Sequence, residues 1–127
     1  MEYGSTSDIA SYVDRLARST NECSFLIIGV GHADDFIQMT GDSSGVQLDF
    51  PLITTRQQMR EELIKRAVQA EGLVVVENSG SNGARFFDIN VEGSSRRIAD
   101  ICCRMLERIF DVDHNTVLSF DFDGLAN

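Results

Sequence analysis

The hydrophobic period of this chain switches repeatedly between about 3.6 residues and about 2, and that alternation restricts the fold more than any other feature. Residues 7–20 carry Ile9, Tyr12, Val13 and Leu16 at i, i+3, i+4 and i+7, one apolar stripe on a helix. Ser7 or Thr6 can cap its start. The period then falls, and Ser24–Gly31, Phe36–Thr40 and Val46–Phe50 read as three short strands. His32-Ala33-Asp34-Asp35 and Gly41-Asp42-Ser43-Ser44-Gly45 separate them with turn chemistry, which predicts an antiparallel meander. Pro51 ends the third strand.

A capping-box pattern at Thr55 and Gln58 opens a second helix. Met59, Leu63, Ala67 and Ala70 form its stripe, flanked by Ile64 and Val68, and Gly72 is its stop. Leu73–Glu77 and Arg85–Val91 predict a hairpin. Gly93-Ser94-Ser95 then leads into a third helix with Ile98, Ile101, Cys102, Met105 and Ile109 on one side, widened by Leu106 and Phe110. Asp100 and Arg104 are spaced to pair on its outer side. Leu118, Phe120 and Phe122 alternate with polar residues, so residues 116–127 read either as a further strand or as an arm packing on a partner. The order α-βββ-α-ββ-α, with that optional last strand, predicts an α+β fold: an antiparallel sheet with helices mainly on one face. A length of 127 residues suits one domain over residues 1–127.

Charge narrows the partner. The net charge is −9 and the pI is about 4.5, against binding of nucleic acid or an anionic membrane. The acid is concentrated. Residues 24–53 contain Asp34, Asp35, Asp42 and Asp49 with no Lys or Arg, and residues 111–127 contain Asp111, Asp113, Asp121 and Asp123 with none either. The second and third helices are mildly basic. Plain solubility accounts for such a pattern, and so does complementarity to a basic polypeptide. Three cysteines, Cys23, Cys102 and Cys103, fit neither a disulfide framework nor a zinc site. With no signal-like start and no apolar run long enough to span a membrane, the expected location is cytoplasmic.

Chemical motifs fail on context. Gly41–Gly45 matches G-x-S-x-G, but a strand follows Ser43 where a nucleophile elbow needs a helix. Gly29-Val30-Gly31 begins like a dinucleotide loop, yet Asp34 stands in place of the third glycine. Asp111–Asn115 imitates the start of a calcium loop, with Thr116 and Phe122 where Gly and Glu belong. His32 and His114 lie in loops, and the adjacent Cys102 and Cys103 read as structural thiols. No catalytic residue, metal site or cofactor is expected.

Apolar surface is the remaining signal. Neighbouring strand residues face opposite sides, so Phe86 and Phe87 cannot both enter one core. Phe25–Ile28 and Leu73–Val76 raise the same conflict. A sheet covered on one face would leave an apolar patch suited to a dimer or a peptide. The candidate contact surface is the first helix stripe, Ile9, Tyr12, Val13 and Leu16, together with Ile37, Met39, Phe86 and Phe87.

Element order, size, acidity and the opening meander (Phe25–Ile28, Phe36–Thr40, Val46–Pro51) resemble the type III secretion chaperone and YbjN-like group of small peptide-binding chaperones. The resemblance implies a non-enzymatic homodimer that holds an extended segment of a client polypeptide by β-augmentation. The alternative is an immunity or inhibitor protein that blocks a basic partner protein.

Overall fold

A computed structural model describes residues 1–42, 45–80 and 82–127. Seven strands form a single antiparallel sheet: β1 (Glu2–Gly4), β2 (Phe25–Gly29), β3 (Phe36–Asp42), β4 (Gly45–Pro51), β5 (Val76–Ser79), β6 (Arg85–Glu92) and β7 (Leu118–Asp123). Their order across the sheet is β1-β7-β2-β3-β4-β6-β5. The helices are α1 (Ile9–Ala17), α2 (Thr55–Gln58), α3 (Glu61–Ala70) and α4 (Ser95–Phe110). The α+β class and the antiparallel sheet agree with the sequence expectation; the strand count does not.

Two additions account for the difference. The N-terminal strand β1 is only three residues long, too short for any alternation to register. It pairs with β7, which lies inside the sheet between β1 and β2. The segment left open as strand or arm is therefore a strand of this chain's own sheet. Phe120 sits opposite Ile28 and Glu2, which carries its ring into the core.

Register fixes the layers. Across β7, β2, β3, β4 and β6, the residues Phe120, Leu26, Ile28, Ile37, Met39, Leu48, Phe50, Phe87 and Ile89 all turn to one face and are buried there. α1 supplies Ile9, Val13 and Leu16 to the same core, and α4 supplies Ile98, Ile101, Cys102, Met105 and Ile109. Each helix stripe follows the sequence spacing. Helix α3 departs from it. Met59 is 80% exposed and Leu63 43%, while Ile64, Ala67 and Val68 are buried. The reason is a break: α2 ends at Gln58, and α3 starts afresh at Glu61 with a rotated stripe. The capping box also sits one residue earlier than the pattern predicted. The Thr54 hydroxyl accepts from the Gln57 N–H, and Gln57 Oε1 accepts from the Ile53 and Thr54 amides.

Two further shifts concern β5 and α4. The strand expected at Leu73–Glu77 runs instead over Val76–Ser79 at the sheet edge, with all four residues exposed. Arg104 does not pair with Asp100. It reaches Glu71 at the end of α3 with contacts of 2.7–3.1 Å, tying two helices together, and Asp100 faces Arg96 at 3.7 Å. An inter-helix bidentate pair beats the local i, i+4 option because both Arg nitrogens engage one carboxylate. Gly45 marks a close backbone approach: a Cβ there would collide with the Val91 carbonyl oxygen on β6.

The two adjacent phenylalanines divide as the pleat demands. Phe87 is fully buried and Phe86 half-buried on the opposite face. Phe87→Ala should cost about 3–5 kcal/mol in urea unfolding, whereas Phe86→Asp should keep a cooperative transition within about 1 kcal/mol of the parent. Equal losses at the two positions would contradict this division.

Candidate functional site

Among the described residues no helix covers the other face of the sheet. Register arranges its side chains in rows that cross the strands. One row holds Tyr3 of β1, Ser119 of β7, Gly29 of β2 and Phe36 of β3. Pro51 of β4, Phe86 of β6 and Asn78 of β5 extend it on the far side. The next row holds Asp121, Ile27, Gln38, Asp49, Asp88 and Val76. A third holds Asp123, Phe25, Thr40, Gln47 and Asn90. Phe25, Ile27, Phe36 and Phe86 stay only half-buried. Where β1, β7, β2 and β3 meet the β2–β3 turn, this face deepens into a cleft of about 460 Å³. Tyr3, Ile27, Phe36 and Val117 form apolar walls, with Asp121 and His32 at the border. Gly29 floors it, and a Cβ there would strike the Ser119 hydroxyl.

Charge is segregated by layer. The eleven Lys and Arg residues lie on the helices and their flanks, with one exception, Arg85 of β6. Arg85 shares the parity of Phe87, turns toward the helical side and pairs with Glu61 and Glu77. The open face thus bears Asp49, Asp88, Glu92, Asp121 and Asp123 and no cation among the described residues. Asp49 and Asp88 stand directly opposite each other on β4 and β6. Burial, reinforced by the Asp88 charge, pushes the Asp49 carboxyl up to about 7.

A buried ion cluster holds the wall of the cleft. Asp35, in the β2–β3 turn, is 6% exposed and accepts from Arg56 at 2.8 and 2.9 Å and from Arg60 at 2.5 and 3.3 Å. Gln57 Nε2 donates to the Asp34 carbonyl in the same turn. The turn is thereby bolted to α2. Hydrogen bonds from Arg56, and then from Arg60, hold the Asp35 carboxyl below its ordinary range despite burial.

The residues named as a contact surface fall into two groups. Ile9, Val13, Leu16, Ile37, Met39 and Phe87 are 0–1% exposed and form the seam between sheet and helices. Tyr12 lies at the edge of that seam, stacked on Phe120 at 4.2 Å, with its hydroxyl donating to Glu2. Phe86 alone belongs to the open face. The helix stripe misled because periodicity reports burial, and a buried stripe looks the same whether it faces a partner or its own sheet. Tyr3, Phe25, Ile27 and Phe36, which the sequence reading did not single out, share that face with Phe86. Their signal was the parity argument already applied to Phe86, extended across every strand.

Other motifs resolve as turns and supports. Gly29–Gly31 leads into β3, with no helix following. Asp113 Oδ1 accepts from the Asn115 N–H at 2.8 Å, and Asp111 adopts a left-handed conformation after α4, a turn arrangement. His32 Nδ1 accepts from the Asp34 N–H at 3.0 Å. Burial pushes the Cys102 thiol far up. The serine of the G-x-S-x-G match, Ser43, lies outside the described residues. Among the described residues no group of three or more His, Cys, Asp or Glu side chains is placed to hold a metal ion, and no helix is long and apolar enough to cross a membrane. No protein-family model, curated protein or solved structure matches this chain.

The Asp35 cluster is directly testable. Its carboxyl is depressed, so its stabilisation is present above the ordinary carboxylate range and is lost as pH falls through and below that range. Asp35→Asn should cost roughly 3 kcal/mol at pH 7 by leaving Arg56 and Arg60 without their anion, and the gap to the parent should shrink below about pH 4. Urea midpoints of both proteins across pH 3–8 check this. A gap independent of pH would remove the ion pairs as its source.

Proposed function

We propose that this chain is a non-enzymatic polypeptide-binding module whose open sheet face receives an extended, basic segment of a partner protein, anchored by apolar side chains. The observation that carries this reading is the segregation of charge: Asp49, Asp88, Glu92, Asp121 and Asp123 share one face with a set of half-buried aromatic and aliphatic side chains, while the Lys and Arg residues lie on the helices, on their flanks and, at Arg85, on the helical side of β6. A lysine- or arginine-bearing segment satisfies both terms at once, burying apolar area while its charges meet carboxylates in a partly desolvated setting. The outer edge of β5, exposed along Val76–Ser79, adds main-chain donors and acceptors for strand addition.

Under this reading the chaperone-like role uses a different surface from the first helix stripe. The charge of this face also argues against a homodimer formed by two open faces, since each would bring its carboxylates against those of the other. A second reading, an inhibitor seated on a folded basic partner, draws on the same acidity. Salt separates the two: a purely electrostatic plug weakens steeply with ionic strength, whereas an apolar-anchored segment weakens less.

Two synthetic peptides of equal length test the proposal, one alternating Lys with Phe and the other Glu with Phe. The basic peptide should shift backbone amide resonances of β2, β3, β4 and β6, and the acidic one should not. Ile27→Asp should weaken binding of the basic peptide about tenfold or more, while Arg96→Glu on α4 leaves it unchanged. Shifts confined to the helices, or equal binding of the two peptides, would refute this assignment.

A further inference from the structure

We propose that Asp49 and Asp88 hold a single proton between them, and that loss of this proton as pH rises makes the centre of the open face doubly anionic. The consequence for partner affinity rests on the binding reading above; the shared proton belongs to the free chain.

The geometry poses a problem that a proton solves. Asp49 and Asp88 are cross-strand partners on two interior strands of the sheet, where like charges directly opposite each other oppose folding. Asp49 Oδ1 is buried and accepts no hydrogen bond, an arrangement that costs more for a full anion than for a neutral acid. The surroundings offer no cation to offset the charge. From β3 the partner is Gln38, from β5 the neighbours of Asp88 are Val76 and Asn78, and Gln47 and Pro51 flank Asp49 on its own strand. The nearest further carboxylate in the row, Asp121, is separated by Gln38 and Ile27. No Lys, Arg or His faces the pair among the described residues.

The pair is asymmetric, which decides where the proton rests. The Asn78 side-chain amide donates to Asp88 Oδ2. Asp49 has no such donor, and burial disfavours its charge first, with the neighbouring anion second. A protonated Asp49 then offers its O–H to the Asp88 carboxylate. Two carboxyls in contact titrate in two steps that belong to the pair, and the upper step falls near neutrality.

The sign of the stability effect follows. The folded chain keeps a proton that the unfolded chain releases at an ordinary carboxylate pKa. Stability contributed by the pair therefore falls as pH rises from about 4 to about 7 and is level above that. The depressed carboxyls of Asp35 and Glu71 are already ionised across this window, so their own effect is confined to lower pH. Affinity for a cationic segment moves the other way and rises as the second charge appears.

Side-chain carboxyl carbon resonances of the full chain, followed from pH 3 to pH 9, test the proton directly. One carboxyl of the pair should titrate near pH 7, and Asp49→Asn should abolish that step. Titration of both carboxyls below about pH 5 would overturn the proposal. The alternating Lys–Phe peptide gives the second arm: the parent protein should bind it roughly two- to fivefold more tightly at pH 8 than at pH 6, and Asp49→Asn should show no such change. A titration step near pH 7 with no peptide binding at any pH would leave the shared proton standing and refute the binding reading instead. A bound peptide with no pH dependence in the parent would overturn the link between the proton and the face.

Discussion

Antiparallel pairing of seven strands in one continuous register is the constraint on which everything else here depends. Once Ile28 stands opposite Ile37 and Phe120, and Leu48 opposite Ile89, each remaining strand residue is committed to one of two faces. Helices α1, α3 and α4 cover one of them with apolar stripes. The second face is left with what alternation puts there: aromatic and aliphatic side chains in one row, carboxylates and amides in the next. Slippage of β4 by one residue would bury Asp49 under α4 and expose Leu48 and Phe50. The register is therefore enforced by the core, and the open face inherits its arrangement as a consequence.

Electrostatics then divides the molecule. On the helical side arginines are occupied with carboxylates: Arg56 and Arg60 with Asp35, Arg85 with Glu61 and Glu77, Arg104 with Glu71. The most enclosed of these, at Asp35, joins the β2–β3 turn to α2 and so shapes the wall of the cleft. Most exposed pairs contribute little individually. Their common result is that cations are held away from the open face. Among the described residues Asp49, Asp88, Asp121 and Asp123 have no cationic partner there, and Asp49 stands opposite Asp88 with one buried oxygen unpaired. Such a local violation, in a chain whose helices, caps and turns are otherwise consistent, fits the interaction surface proposed above.

Much of the fold was legible from spacing. Ile9, Val13 and Leu16, and Ile98 through Ile109, declared their helices because a period of about 3.6 residues gathers apolar side chains onto one helix face. Val46, Leu48 and Phe50 declared a strand with equal clarity. What escaped had weak local signal. Strand β1 is too short to alternate, and it exists because β7 offers an edge. The rotated stripe of α3 follows from the break after Gln58, where Gln57 serves the turn caps at Ile53, Thr54 and Asp34. The exchange of Asp100 for Glu71 as the partner of Arg104 needs the packing of α3 on α4, which no local pattern encodes.

The candidate site was half legible for the same reason. Parity showed that Phe86 and Phe87 must part, and that a surplus apolar face had to exist. It could not say which set of strand side chains the helices would cover, because alternation is symmetric between the two faces. The sequence by itself determined the periods, the turns and the acidic blocks, since those depend on near neighbours along the chain. Only the tertiary structure decided that Ile37 and Met39 lie beneath α1 while Ile27 and Phe36 lie open, and that Asp49 meets Asp88. Those outcomes depend on strand order and on the side of the sheet to which the helices return, and both are set by packing between segments distant in sequence.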